Sequence, residues 1–407
     1  MKYTAKRYDT TDLVEVRVEN GKIAGWKTLN PIPFIDSNPS ADPVPWIAPG
    51  FFDIQINGGI GIEFSSPDLS EEQVRSLCEK LLTEGVFRFC PTITTNDPEI
   101  MIRAIQTIVS ARIKYPQYAD QIAGIHLEGP FISRTDGPRG AHPLKYCREY
   151  DLDLYRKFAD AGKGLLRILT LSPEYDGAED FIRAVCFDGV LVSIGHTNAS
   201  PHQIAKAISA GARLSTHLSN ATSPLLAKSG NYCFAQMADD RLAAGIIADG
   251  FHVVPTLLKI IVWAKRPENI ILVSDQSSLA GFPPGKYTTQ LCDLEILPNG
   301  RIGLAGDPNL LAAAWFPVSR GVANLRGITD LSLKVLMDMA GKNPARLLNL
   351  PDYSNGSSDF LQIGAPADFI LFQIEPARLS QIGIADPDNF KPGRMILEKC
   401  VFHGNSF

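Results

Sequence analysis

The sequence contains no pair of cysteines in Cys-x-x-Cys spacing, and its seven cysteines are odd in number and scattered. That excludes a cysteine-based zinc site and a disulfide framework, and it fits a reducing cytoplasm. No stretch approaches the roughly 18 consecutive apolar residues of a transmembrane helix, and the opening residues lack the apolar core of a signal peptide. An excess of positive charge is missing as well. Lys plus Arg number 39 against 44 for Asp plus Glu, a net charge of −5. This argues against a nucleic-acid binder and against a polybasic membrane-surface protein. Internal repeats and low-complexity tracts are absent too. What remains is the composition of a soluble globular protein, 45% hydrophobic and 20% charged, on a chain long enough to bury a large core without staples.

The 407 residues correspond to two or three domains of roughly 150 residues each, although barrels run larger as single units. The first 48 residues read as short strands. Val14 to Val18 alternates apolar and polar, Asn20-Gly21 suits a type I′ turn, and Lys22 to Trp26 returns. A proline-rich stretch from Pro31 to Pro49 follows. Eight near-continuous apolar runs then suit parallel strands covered on both faces: 51–55, 87–91, 122–127, 165–171, 190–194, 214–218, 243–248 and 270–274. Helical periodicity lies between most of them, over 71–84, 98–114, 152–160, 178–187, 201–210, 254–265 and 331–348. The rhythm predicts an α/β fold, a (β/α)₈ TIM-like barrel, with a doubly wound open sheet as the alternative. Long connections at 219–241 and 281–306 break the rhythm, and such insertions are more often functional than other connections are. The strand-like segments 368–373 and 395–403 are expected to join the first 48 residues. The expected organisation is therefore a small β-sandwich domain of residues 1–48 and 355–407, and a barrel of residues 49–354.

The polar residues stand where the apolar runs end. His126 and Glu128 close the third strand, His196 the fifth, His217 the sixth and Asp275 the eighth, while Asp249 and His252 follow the seventh. In a parallel barrel these ends meet at one mouth. Four of the seven histidines fall there. Histidine plus carboxylate around an open position describes a catalytic zinc site, three protein ligands with a fourth place for water, and Glu128, His196 and His217 are the best trio. The two histidines are 21 residues apart, close to one βα repeat. Bound zinc brings the pKa of its water to about 7. Asp275, at the end of an apolar strand, is the natural group to take that water's proton and return it to a leaving group. The plain alternative is that Asp275 caps the next segment.

Seven motifs in order strengthen this reading: 48–59 (APGFFDIQINGG), 126–131 (HLEGPF), 140–143 (GAHP), 195–199 (GHTNA), 216–221 (THLSNA), 249–253 (DGFHV) and 273–275 (VSD), followed by 364–370 (GAPADFI). With them the chain resembles the N-acetylglucosamine-6-phosphate deacetylases of the amidohydrolase superfamily. The resemblance implies a hydrolase that cleaves the acetamide of an amino sugar, most readily N-acetylglucosamine 6-phosphate, and releases acetate. It implies one divalent ion on Glu128, His196 and His217, zinc in first place with iron, cobalt or manganese as alternatives. Asp275 becomes the acid/base. His142, beside Ala141, faces the acetyl carbonyl. Asn220, Ala221 and His252 contact the sugar phosphate, and Leu304, Ala305 and Gly306 line the sugar. Gln55 and Asn57 stand where many relatives carry His-x-His for a second metal, so a mononuclear site is expected. A homodimer is implied too, because the family grips the phosphate with an Arg that often reaches across an interface. Here the aligned cation is Lys228, a point charge without the bidentate fork. The family's small apolar residues after the eighth strand are replaced by Gln276-Ser277-Ser278-Leu279. Two further readings stay open: an amidohydrolase acting on another N-acyl sugar or an N-acyl amino acid, and a catalytically silent sugar-binding relative.

Overall fold

The computed structural model describes residues 1–29, 44–289, 293–305, 307–350, 359–378 and 390–407. Eight parallel strands form one sheet in sequential order: Phe51–Ile56, Val86–Thr94, Ile125–Glu128, Leu166–Leu171, Leu191–Ile194, Leu214–Ser215, Ala243–Ile247 and Ile270–Val273. The first and eighth strands meet through a parallel bridge between Ile56 and Gln276, which closes the barrel. Residues facing inward alternate with residues facing the helices, as a pleated strand requires. The outward set, including Phe51, Phe89, Leu127, Leu169, Ile194 and Ile246, is buried under the helices in one large core.

The helices begin where their caps are. Ser70 accepts from the Gln73 amide and Gln73 returns the bond, a capping box that starts Glu71–Thr83. Asp97 accepts from the Glu99 amide ahead of Pro98–Lys114. The periodicity over 331–348 predicts one helix, and the structure has two, Leu333–Met339 and Lys342–Leu347. Two local causes separate them. The Ala340 carbonyl accepts from the Phe52 amide at 2.7 Å, so it is spent on the barrel rather than on the helix. Pro344 has no N–H to carry the ladder through. Helices Tyr232–Ala238 and Val318–Ile328 are additional to the expected set.

The terminal strands form a seven-stranded, mostly antiparallel sheet in the order Asn405–Ser406, Arg394–Phe402, Phe369–Glu375, Trp46–Ala48, Lys2–Arg7, Leu13–Glu19, Lys22–Thr28. Along Phe369–Glu375 the pleat sorts the side chains. Phe369 and Leu371 enter the sheet's own core with Val14, Val16 and Val401, while Ile370, Phe372 and Ile374 join the barrel's core. Asn20 and Gly21 have φ of 50° and 74°, as a type I′ turn needs. That turn packs against His403 and Gly404, so the sheet folds over onto itself. The boundary expected at residue 355 lies outside the described residues. The excursion after the eighth strand forms a separate sheet of four strands, Gly285–Thr288, Asp293–Ile296, Ile302–Leu304 and Asp307–Ala313.

Candidate metal centre and acid/base

Glu128 ends the third strand with its side chain inside the barrel, one pleat above His126. His196, His217 and Asp275 each lie two residues past the last residue of their strands, Ile194, Ser215 and Val273. All three adopt left-handed backbone, with φ of 48°, 26° and 54°. This conformation costs a non-glycine residue roughly 1–3 kcal/mol and persists only where the surroundings fix it. It turns each chain sharply off its strand and directs the side chain over the barrel axis. The same turn explains why the sixth strand stops at Ser215, where the apolar pattern predicts continuation to Leu218.

Glu128, His196 and His217 come together. The Nε2 atoms of both histidines lie 2.9 Å from Glu128 Oε1 and 3.1 Å from each other. The three form a buried cluster that can hold a metal ion. The donor set fits such an ion. His196 Nδ1 donates to the Pro138 carbonyl at 3.1 Å, which fixes the tautomer that leaves Nε2 as a lone-pair donor. Two imidazole nitrogens and one carboxylate oxygen converge with few protons to share among them, an arrangement that a cation satisfies. Ligation at about 2.0–2.2 Å places neighbouring donors roughly 3.3–3.6 Å apart, so the cluster would need to open by about 0.5 Å. Burial opposes charge on Glu128, yet its bonds to His196 and His217 hold its carboxyl well below the ordinary range. Burial likewise works against His217, and the bond to Glu128 overrides it and raises that imidazole.

Asp275 is held beside this cluster. Asn57 Nδ2 donates to its Oδ1 at 2.7 Å, and Gln55 Nε2 lies 3.2 Å from the same oxygen and 3.2 Å from Glu128 Oε1. The positions that lack metal ligands therefore carry amides that hold the Asp275 carboxylate. Burial pushes Asp275 up to about 6, helped by the Glu128 charge and opposed by His217, His252 and the Asn57 bond. His142 comes from the long connection after the third strand, with its Nε2 3.2 Å from His196 Nε2. Burial and the neighbouring His196 push it down to about 3, so it is neutral at pH 7 with one N–H to donate. Gly140 permits this approach: it has φ of 59°, and a Cβ there would stand 3.2 Å from His196 Cε1.

The other expected residues have definite places. His126 does not join the cluster. Its Nδ1 lies 3.0 Å from the Ile54 carbonyl and its Nε2 2.7 Å from Thr170 Oγ1, and burial pushes it down to about 4, which makes it a neutral member of the barrel interior. Asn220 and Ala221 line a small cleft with His196, Thr222, Tyr232 and Gln236. His252 is bound through Nδ1 to Asp249 Oδ2 at 2.8 Å, and that carboxylate, against the effect of burial, raises it. Ala141 is exposed next to His142, and Lys228 is exposed in the connection before Tyr232–Ala238. Leu304 ends the third strand of the four-stranded sheet, Ala305 is in the turn after it, and Gly306 is outside the described residues. Sequence reasoning missed the buried carboxylate of Asp53 and the tautomer-fixing carbonyl of Pro138. Asp53 had a signal: it is a charged residue inside an otherwise near-continuous apolar run.

The comparisons agree with this geometry. The model of the amidohydrolase family matches residues 46–398. The chain is 34% identical to the N-acetylglucosamine-6-phosphate deacetylase of Bos taurus over 80% of this chain and 79% of that protein. It is 29% identical to an N-acetylgalactosamine-6-phosphate deacetylase of Escherichia coli O157:H7 over 83% of this chain and 85% of that protein. Among solved structures it is similar to a mutant N-acetyl-D-glucosamine-6-phosphate deacetylase from Mycobacterium smegmatis in complex with N-acetyl-D-glucosamine 6-phosphate. There the TM-score is 0.78 at 26% identity, covering 100% of this chain and 98% of the other.

Proposed function

We propose, on the premise that this chain belongs to the amidohydrolase family, that it hydrolyses N-acetylglucosamine 6-phosphate to glucosamine 6-phosphate and acetate. The observation that carries the reading is the meeting of Glu128, His196 and His217 with an anchored carboxylate, Asp275, and a neutral imidazole, His142, at one barrel mouth. Amide hydrolysis needs an activated water, a polarised carbonyl and a proton for a poor amine leaving group. A divalent ion on Glu128, His196 and His217, zinc in our reading, supplies Lewis acidity toward the carbonyl and the attacking water. Asp275 takes the water's proton as its oxygen bonds to the acetyl carbon. His142 donates its N–H to the carbonyl oxygen as negative charge gathers there. The carbon–nitrogen bond then breaks, and Asp275 returns the proton to the amine nitrogen. Asn57 and Gln55 keep the Asp275 carboxylate aimed throughout.

His142→Ala removes only the oxyanion donor. Its kcat should fall by about 10²–10³-fold, with a smaller change in KM. Steady-state acetate release checks this, and a variant that keeps wild-type kcat contradicts the role.

We place the phosphate near Asn220, Ala221, His252 and Lys228. The relatives support a phosphorylated amino sugar. The likeness to a galactosamine-type enzyme makes the C4 epimer the second reading. Acetate release from both 6-phosphates and from plain N-acetylglucosamine decides. The reading predicts a preference in kcat/KM for the phosphorylated glucosamine substrate of roughly a hundredfold over the plain sugar, about 2.7 kcal/mol. Equal rates reject the phosphate, and no acetate from any substrate with metal-replete protein rejects the reaction.

We read the chain as a cytoplasmic homodimer. No helix among the described residues is long and apolar enough to cross a membrane. Leu225, Phe234, Ile260 and Trp263 leave apolar side chains 50–88% exposed on and beside the adjoining helices Tyr232–Ala238 and Pro255–Lys265, where a second copy would cover them. Light scattering should give twice the 44.4 kDa protomer mass, and a monomer at micromolar concentration contradicts this.

A further inference from the structure

Asp53 is fully buried in the first barrel strand, two residues before Gln55, and the reaction as derived does not use it. It lies at the seam where the barrel closes. The first and eighth strands share no regular ladder there, only the bridge between Ile56 and Gln276. Below that bridge the Asp53 carboxylate takes the place of a strand. Its Oδ2 accepts from the Ser274 amide at 3.0 Å and its Oδ1 from the Gln55 amide at 3.1 Å. Above it, the Asp275 amide donates to the Gln55 carbonyl at 2.9 Å, and the Asn57 amide donates to the Gln276 carbonyl at 2.8 Å.

We propose that Asp53 is a positioning residue for Asp275, an inference that rests on Asp275 being the acid/base. Asp275 holds a left-handed backbone, φ 54°, which relaxes unless its neighbours fix it. Asp53 fixes the residue before it, Ser274, and also the residue that accepts from it, Gln55. Gln55 in turn aims its side-chain amide at the Asp275 carboxylate. One buried carboxylate thus sets both the backbone of the acid/base and an amide that orients it.

The chemistry of the position supports this. Thr92, Thr170 and Ser193, buried inside the barrel, carry neutral groups. A buried acid without a cationic partner is costly, and burial pushes Asp53 up to about 7 against the bonds from Ser274 and Gln55. The titratable neighbours facing it are Asp275 on the eighth strand and the Cys90 thiol on the second. Neither repays the burial. A carboxylate is the side chain that offers two diverging acceptors and no donor, and the two amides here require that.

Asp53→Asn tests it, because the new NH₂ faces one of the two N–H donors. We expect kcat to fall by about 10²-fold, the scale of a small misplacement remote from the chemistry. KM should stay within about twofold, since substrate contacts are untouched. Metal content should remain at the wild-type value. A crystal structure of the variant should show Asp275 out of its left-handed conformation and the bond to Asn57 broken. That readout needs no turnover, so it separates this proposal from the reaction assigned above. If Asp53→Asn does not fold, Ser274→Ala keeps the amide bond but removes the hydroxyl's bond to the same carboxylate, and should give a smaller loss of kcat at unchanged KM. Wild-type kcat, or an unchanged Asp275 in the variant crystal, overturns the proposal.

Discussion

Asp275→Asn should retain its metal and lose about 10⁴-fold in kcat, the upper end of what one acid/base group contributes. The upper end applies because Asp275 acts twice, as base toward the water and as acid toward the amine. The substitution is nearly isosteric. Its remaining oxygen still accepts from Asn57 Nδ2 and Gln55 Nε2, so the surroundings have no reason to collapse. Only the ability to carry a proton is lost. The pH dependence follows with a definite sign. The base must be ionised to accept a proton, so wild-type kcat should fall as pH drops through the Asp275 pKa, raised by burial to about 6. A cation bound beside Glu128 favours the ionised form, so the limb of the loaded enzyme should lie no higher than about 6. A variant with near-normal turnover, or a wild-type acid limb well above 6, removes Asp275 from the mechanism.

The second large effect concerns the cluster. His217→Ala should reduce metal affinity by more than the 10–100-fold typical of losing a supporting group around a metal, because a ligand itself is lost. Activity should go with it. Zinc added to the metal-free wild type should raise Tm, since an ion at about 1,000 times its Kd adds roughly 4 kcal/mol of stability. The same zinc should leave the Tm of His217→Ala unchanged. Calorimetry with and without zinc reads this directly, and equal Tm gains in both proteins would place the ion elsewhere.

Much of this was legible in the sequence for physical reasons. Parallel barrel strands are buried on both faces, so they stand out as apolar runs, and the polar residues that end them stand out in turn. Glu128, His196, His217 and Asp275 were visible in that way. The length of the sixth strand was not, because an apolar run continues through Leu218 while the backbone turns left-handed at His217. Such turns have no side-chain signature when the residue is neither glycine nor asparagine. The division of the last helical segment was marked by Gly341 and Pro344, but periodicity outweighed them. The amides of Gln55 and Asn57 were legible only as absent metal ligands. Their work on Asp275 depends on the barrel closing, a contact across about 220 residues that no local pattern encodes.

The most direct measurement is anomalous diffraction from metal-replete crystals at the absorption edge of the bound element. The account predicts one peak per protomer, within about 2.0–2.2 Å of Glu128 Oε1, His196 Nε2 and His217 Nε2. No peak there, or a second one at Gln55 and Asn57, contradicts it.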